Sequence, residues 1–92
     1  AEVEAALVRC EGVLECAVMG VADARWGEVG LAAVVMRADA PQDTATLKQA
    51  LRVRLAAYKI PREIHFLDAL PRNGVNKLDR RELLRRITAV RV

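Results

Sequence analysis

Residues 70–83, LPRNGVNKLDRREL, hold a loop and a helix start in one uninterrupted run. Pro71, Gly74 and Asn76 are turn residues. Asp79 is a preferred N-cap, and Glu82 stands three residues on, where it completes a capping box. Leu78, just before the cap, can staple onto Leu83. Leu83, Leu84 and Ile87 then give the helix an apolar side, with arginines elsewhere. Lys77 therefore emerges from a loop whose far end is fixed by a helix cap. Two readings of it stay open on spacing alone. It is a solvated lysine beside a turn, or a positioned ammonium suited to neutralise a carboxylate and a phosphate as they react.

Working upstream, REIHFLDAL (62–70) reads as a short strand with Ile64 and Phe66 on one face. His65 lies on the other face. It is the only histidine, has no visible catalytic partner, and is read as a structural surface residue. Residues 38–61, ADAPQDTATLKQALRVRLAAYKIP, are a loop and then a helix capped by Asp43 or Thr44. Leu47, Ala50, Leu51, Leu55 and Tyr58 recur on one side, and Pro61 ends the helix by biasing Ile60 out of the helical region. VGLAAVVMR (29–37) is too continuously apolar for a half-exposed strand, so it is placed at the sheet centre with both faces covered. VLECAVMGV (13–21) alternates Leu14, Cys16 and Val18 with Glu15, Ala17 and Met19. The two strands form a hairpin with residues 22–28 as a longer loop. At the start, Val3, Ala6, Leu7 and Cys10 make a helical face that Gly12 stops. This helix begins at Ala1 with no capping residue ahead of it, which reads as a cut start. The predicted fold is α+β, a small three-stranded sheet flanked by about three helices. The order is helix, strand, strand, helix, strand, loop, helix.

Ninety-two residues allow one modest core, and 53% hydrophobic content with one Trp, one Tyr and one Phe makes that core aliphatic. No apolar run reaches the roughly 18 to 20 residues of a membrane span, and no secretory signal pattern is visible, so the expectation is a cytoplasmic protein. Cys10 and Cys16 have no CxxC or histidine company and are expected as buried thiols; no metal site is expected. The formal charge of +3 suits anionic ligands. Much of the excess comes from Arg80, Arg81, Arg85, Arg86 and Arg91, which read as a solvated or partner-facing surface. Neither the stacking aromatics nor the recognition-helix pattern of a nucleic-acid binder accompanies it, so no nucleic-acid partner is expected. The dinucleotide, P-loop and nucleophile-elbow fingerprints are absent.

Three stretches together resemble the small C-terminal domain of the adenylate-forming superfamily, which comprises acyl-CoA synthetases, aryl-CoA ligases and peptide-synthetase adenylation domains. EVEAAL resembles the start of its first helix, and GVLECAVMGVADARWGE resembles that family's V-x-E-A-A-V-V-G-x-x-D-x-x-W-G-E. LAAYKIPREIHFLDALPRNGVNKLDRREL resembles its Y-K-x-P and L-P-R-T-x-x-G-K segments. The resemblance covers nearly the whole chain and leans toward acyl- or aryl-CoA ligases through the Arg after Pro71.

The resemblance implies that Lys77 is the catalytic lysine, bridging the acyl carboxylate and the α-phosphate of ATP during adenylation. A thiol, usually CoA, then displaces AMP after the small domain rotates on a large N-terminal domain. ATP and CoA are the implied cofactors, with Mg²⁺ accompanying ATP in the large domain. Lys59, Arg25 and Arg62 are implied contacts for CoA phosphates or for the large domain. Trp26, Gly27 and Glu28 match a family signature that is read as mostly structural. The sequence departs from the family where Asn76 replaces the usual Gly before the lysine, with Gly74 two residues earlier, and where Asn73 replaces the usual Thr. Asn tolerates the left-handed backbone region, so Gly74 and Asn76 are expected to set the loop geometry. In some members of the family the matching lysine is acetylated, which would neutralise Lys77. The hinge and large domain lie outside the chain, which reads as a fragment inactive by itself. The rival reading is a stand-alone protein-interaction module with a basic face.

Overall fold

A computed structural model describes residues 2–90; Ala1, the expected helix start, and Arg91 of the basic run lie outside the described residues. The elements are α1 (Glu2–Val8), β1 (Val13–Asp23), β2 (Gly27–Met36), α2 (Thr44–Arg52), a 3-10 turn (Ala57–Lys59), β3 (Glu63–Phe66) and α3 (Arg80–Val90). The expected order and α+β class hold. The sheet runs β1-β2-β3, with β1 antiparallel and β3 parallel to the central β2.

The continuous apolar run of β2 reflects its place in the middle. Val29, Leu31, Ala33 and Val35 face a cluster completed by Ala17, Val21, Leu70 and the α3 residues Leu83 and Ile87. Ala32 and Val34 face the other way, into a cluster with Leu7 of α1 and Leu47 and Leu51 of α2. The result is three layers, with α1 and α2 on one face and α3 on the other. Burial on both sides is what strand alternation with period two permits when neither face meets water.

Four expectations are corrected. The hairpin loop is short, because β1 continues to Asp23 and β2 resumes at Gly27, whose φ of 82° turns the chain. Helix α2 ends at Arg52, not at Pro61; residues 53–56 turn away and Tyr58 is 84% exposed. Its first turn does follow the expected cap, with Asp43 Oδ1 accepting from Ala45 N and Thr46 N. Leu14 is 58% exposed, because the β1–β2 register shifts between Val13 and Glu15. One extra residue reverses the parity of a strand, so Val13 packs with the α1 and α2 cluster while Glu15 shares the α3 face with Ala17. On α3, Leu84 is 39% exposed whereas Leu83 and Ile87 are fully buried.

Glycine placement follows the same economy. Gly12 has a φ of 88°, and a Cβ there would stand 2.8 Å from Ala40 Cβ, so the turn after α1 is closed to larger residues. Cys10 is a buried free thiol, as expected, whereas Cys16 is a free thiol only partly buried. Burial raises both, Cys16 to about 11, which keeps them protonated and unreactive at neutral pH.

Candidate functional site

Residues 70–79 fold back on themselves as a miniature hairpin. Arg72 and Leu78 form an antiparallel bridge, Asn73 N donates to Lys77 O at 2.8 Å, and Asp79 N donates to Pro71 O at 2.8 Å. Inside the turn, the Asn73 carboxamide oxygen accepts from Val75 N at 3.0 Å and from Lys77 N at 3.1 Å. This is the side-chain mimicry of a backbone turn that Asn performs well. Asn76 supplies the reversal with a φ of 63°, a left-handed conformation that Asn adopts at low cost and most residues do not. Gly74 is not among the positive-φ residues and faces open space, so the turn asks no glycine of it.

Both ends of the hairpin are anchored. Asp79 caps α3 through Oδ1, which accepts from Glu82 N at 3.0 Å, and Leu78 packs on the cluster that holds Leu83. The reciprocal half of the capping box is not made. Asp79 N is taken by Pro71 O, and the Glu82 carboxylate turns outward to Arg85 and Arg86 at 2.7 to 2.9 Å. At the other end, Arg72 Nη2 reaches Glu15 Oε1 of β1 at 2.7 Å, and its Nη1 lies 3.4 Å from Asn76 O. The Lys77 backbone is thus held on both sides. Its side chain is exposed, and among the described residues its ammonium has no hydrogen-bond or ion-pair partner.

The Glu82 cluster has a pH signature. Hydrogen bonds from Arg85 and then Arg86 hold the Glu82 carboxyl down at about 2, below its ordinary 4.5. A carboxylate depressed on folding stabilises the fold above its unfolded value and loses that contribution as pH falls through the folded one. Stability is therefore expected to decline between about pH 4.5 and 2, and Glu82→Gln is expected to flatten part of that decline. Urea midpoints of both proteins across that range measure it.

The remaining sequence-predicted positions divide into two places. Arg25 and Arg62 meet at Trp26, with guanidinium carbons 5.1 and 5.0 Å from the ring centroid. The Trp26 turn is fixed by Asp23 Oδ1, which accepts from Arg25 N and Trp26 N at 2.9 Å. Trp26, Arg62, Tyr58, Lys48 and Arg52 line one open groove of ≈ 540 Å³, a cationic and aromatic surface with Glu28 at its edge. Lys59 stands apart. Its ammonium pairs with Glu2 Oε1 of α1 at 2.6 Å, and that hydrogen bond raises its pKa. The groove runs from Gly30, paired with Gly20 of β1, to the Trp26 turn, and so lies toward the other end of the β1–β2 hairpin from Glu15.

His65 pairs with Glu63 at 2.9 Å in a partly buried position. Arg80 folds back to Val18 O at 3.2 Å and toward Glu4, so it serves the domain's own edge strand. Among the described residues no group of three or more His, Cys, Asp or Glu could hold a metal, and no helix is long and apolar enough to cross a membrane.

The geometry has counterparts. Residues 2–77 match the AMP-binding enzyme C-terminal domain, and the chain belongs to that family. It is 48% identical over 87 residues to a 2-succinylbenzoate–CoA ligase of Geobacillus kaustophilus, covering 95% of this chain and 18% of that protein. It is also 48% identical over 86 residues to a feruloyl-CoA synthase of Amycolatopsis, covering 94% of this chain and 18% of that one. Among solved structures, a fatty acyl-CoA synthetase of Mycobacterium tuberculosis superposes with a TM-score of 0.86 at 33% identity, over 96% of this chain and 17% of that one. ATP-bound MatB from Rhodopseudomonas palustris gives 0.83 at 36% identity, over 89% of this chain and 16% of that one. The chain thus spans less than a fifth of the length of these relatives.

Three features of the candidate site escaped sequence reasoning. Asn73 was visible only as a departure from a family pattern, although Asn two residues before an exposed apolar residue in a turn is itself an Asx-turn signal. The Glu15–Arg72 pair joins residues 57 positions apart that no local signal links. The meeting of Arg25 and Arg62 on Trp26 joins segments far apart in sequence.

Proposed function

We propose that residues 1–92 act as the mobile small domain of an AMP-forming acyl- or aryl-CoA ligase and deliver Lys77 to its first half-reaction. In that reaction a carboxylate oxygen attacks the α-phosphorus of ATP, forming the acyl-adenylate and releasing pyrophosphate. A thiol, here CoA, then attacks the acyl carbon; its proton is lost, AMP departs, and a thioester forms. The observation that carries the reading is the Lys77 hairpin, with a backbone tied at both ends and an ammonium left without a partner among the described residues. Two anions approaching one another repel, and an exposed cation on a fixed base lowers that repulsion without having to break a prior contact. Acyl- and aryl-CoA ligases among the relatives and an ATP-bound neighbour support the substrates.

The large N-terminal domain of the same enzyme is the partner, and it holds ATP, Mg²⁺ and the carboxylic acid. That division of roles leaves this domain inactive by itself and places the enzyme where ATP and CoA are abundant, in the cytoplasm. The Trp26 groove serves the second half-reaction. Arg25 and Arg62, both held over the Trp26 ring, stand ready for CoA phosphates, while Lys59, paired with Glu2, is left to the domain interface. The Lys77 hairpin meets β1 at Glu15 while the groove lies toward the Trp26 end of the β1–β2 hairpin, and serving one reaction centre with two separate sites in turn is the physical need that domain rotation meets.

In the ligase, Trp26→Ala is expected to raise the KM for CoA about tenfold, because it removes the ring that holds both guanidiniums in place. Acyl-adenylate formation is expected to stay within about twofold. Steady-state kinetics with CoA as the varied substrate checks the first, and pyrophosphate exchange checks the second. An unchanged KM would remove the groove from the CoA site.

A further inference from the structure

We infer that Asn73, assisted by the Glu15–Arg72 ion pair, is the positioning device for Lys77. The inference rests on the reading of Lys77 as the adenylation lysine. Lys77 is the last residue of the hairpin before Leu78 and Asp79 anchor the chain, so its backbone orientation depends on what closes the turn. Three hydrogen bonds close it at Lys77 itself or beside it. Asn73 N donates to Lys77 O at 2.8 Å, Asn73 Oδ1 accepts from Lys77 N at 3.1 Å, and the same oxygen accepts from Val75 N at 3.0 Å. Asn73 thus grips both backbone groups of Lys77. The left-handed Asn76 between them makes the grip geometrically possible.

The ion pair acts on the whole hairpin. Glu15 Oε1 holds Arg72 Nη2 at 2.7 Å, and Arg72 also reaches Asn76 O at 3.4 Å, so one guanidinium ties β1 to the turn. Glu15 lies on this face by the regular alternation it shares with Ala17 and Val21, and the β1 bulge just before it sends Val13 to the opposite face. Magnitudes rank the two devices. The side chains of Arg72 and Glu15 are 42% and 37% exposed, so breaking the pair shifts the loop population by at most about fivefold. Releasing Lys77 N and Val75 N together loosens the turn to its backbone bonds, Asn73 N to Lys77 O and Asn76 N to Asn73 O, and a misplacement of about 1 Å at a reacting group can cost about 100-fold.

The test compares both half-reactions in the ligase that carries this domain. Asn73→Ala is expected to slow acyl-adenylate formation about 10- to 100-fold and to leave thioester formation from supplied acyl-adenylate within about twofold. Asn73→Thr restores a short acceptor at the turn and is expected to recover part of the loss. Glu15→Gln is expected to slow adenylation no more than about fivefold. In a Lys77→Ala background, Asn73→Ala is expected to cost nothing further, since its effect runs through the lysine. Hydrogen exchange at the Val75 and Lys77 amides should quicken in Asn73→Ala. If Lys77→Ala leaves adenylation at the wild-type rate, the reading of Lys77 falls and the inference with it. If Lys77→Ala is slow but Asn73→Ala is not, the inference alone is overturned. It is overturned as well if Asn73→Ala slows both half-reactions equally, or slows the Lys77→Ala protein by its full factor.

Discussion

Replacing Lys77 by alanine is expected to slow acyl-adenylate formation about 10²- to 10³-fold in the ligase, the usual cost of removing one preorganised charge or donor from a reacting anion. Two independent magnitudes agree on that size. A unit charge 4 Å from another is worth about 4 kcal/mol at an effective dielectric of 20. Three decades of rate correspond to about 4 kcal/mol of barrier. Lys77→Arg keeps the charge but spreads it over a broader planar head on a different stem, and is expected to recover only part of the rate. Lys77→Gln removes the charge as acetylation would and should behave like Lys77→Ala. Pyrophosphate exchange with the cognate acid reads all three.

Leu83→Ala is expected to destabilise the 92-residue chain by about 2–5 kcal/mol, a large share of the about 5–15 kcal/mol that holds such a domain together. Leu83 is fully buried in the cluster of Ala17, Leu31, Ala33 and Ile87, so its loss leaves a void between α3 and the sheet. The neighbouring Leu84→Ala is expected to cost under about 1 kcal/mol, because Leu84 is 39% exposed and outside both clusters. Urea unfolding midpoints at constant slope measure both. The comparison isolates burial from helix propensity, since both substitutions replace leucine by alanine in the same turn of α3.

The pair also shows where sequence reasoning succeeds and where it stops. Periodicity found α3 and its cap because Asp79, Leu83 and Ile87 are local signals within two turns. It could not separate Leu83 from Leu84, since adjacent positions on a helix differ only by which one meets a sheet that forms from distant residues. The central place of β2 was legible in its unbroken apolar run, and the parallel β3 brings Ile64 and Phe66 to the face expected of them. Tyr58 was misplaced for a physical reason. Its spacing continued the α2 pattern, but the helix ends at Arg52 and the 3-10 turn at Ala57–Lys59 carries Tyr58 outward.

At the candidate site the same division holds. Lys77 and its loop could be singled out from turn residues beside a cap. The contacts that fix the loop could not, because Glu15 and Arg72 lie 57 positions apart and meet only once the hairpin packs beside β1. Asn76 answers the departure from the family's glycine directly, since it occupies the left-handed conformation that the turn needs. Asn73 answers the other departure by gripping Lys77 with its carboxamide and its own N–H. Asn73 and Asn76 thus close a turn at two positions where the resembling family pattern has other residues.

Single-turnover kinetics of Lys77→Ala, with both half-reactions followed in one protein, test the central claim most directly. The expected result is acyl-adenylate formation slowed about 10²- to 10³-fold beside thioester formation from supplied acyl-adenylate at close to the wild-type rate. Adenylation at the wild-type rate, or an equal loss in both steps, would contradict the assignment of Lys77 to the first half-reaction.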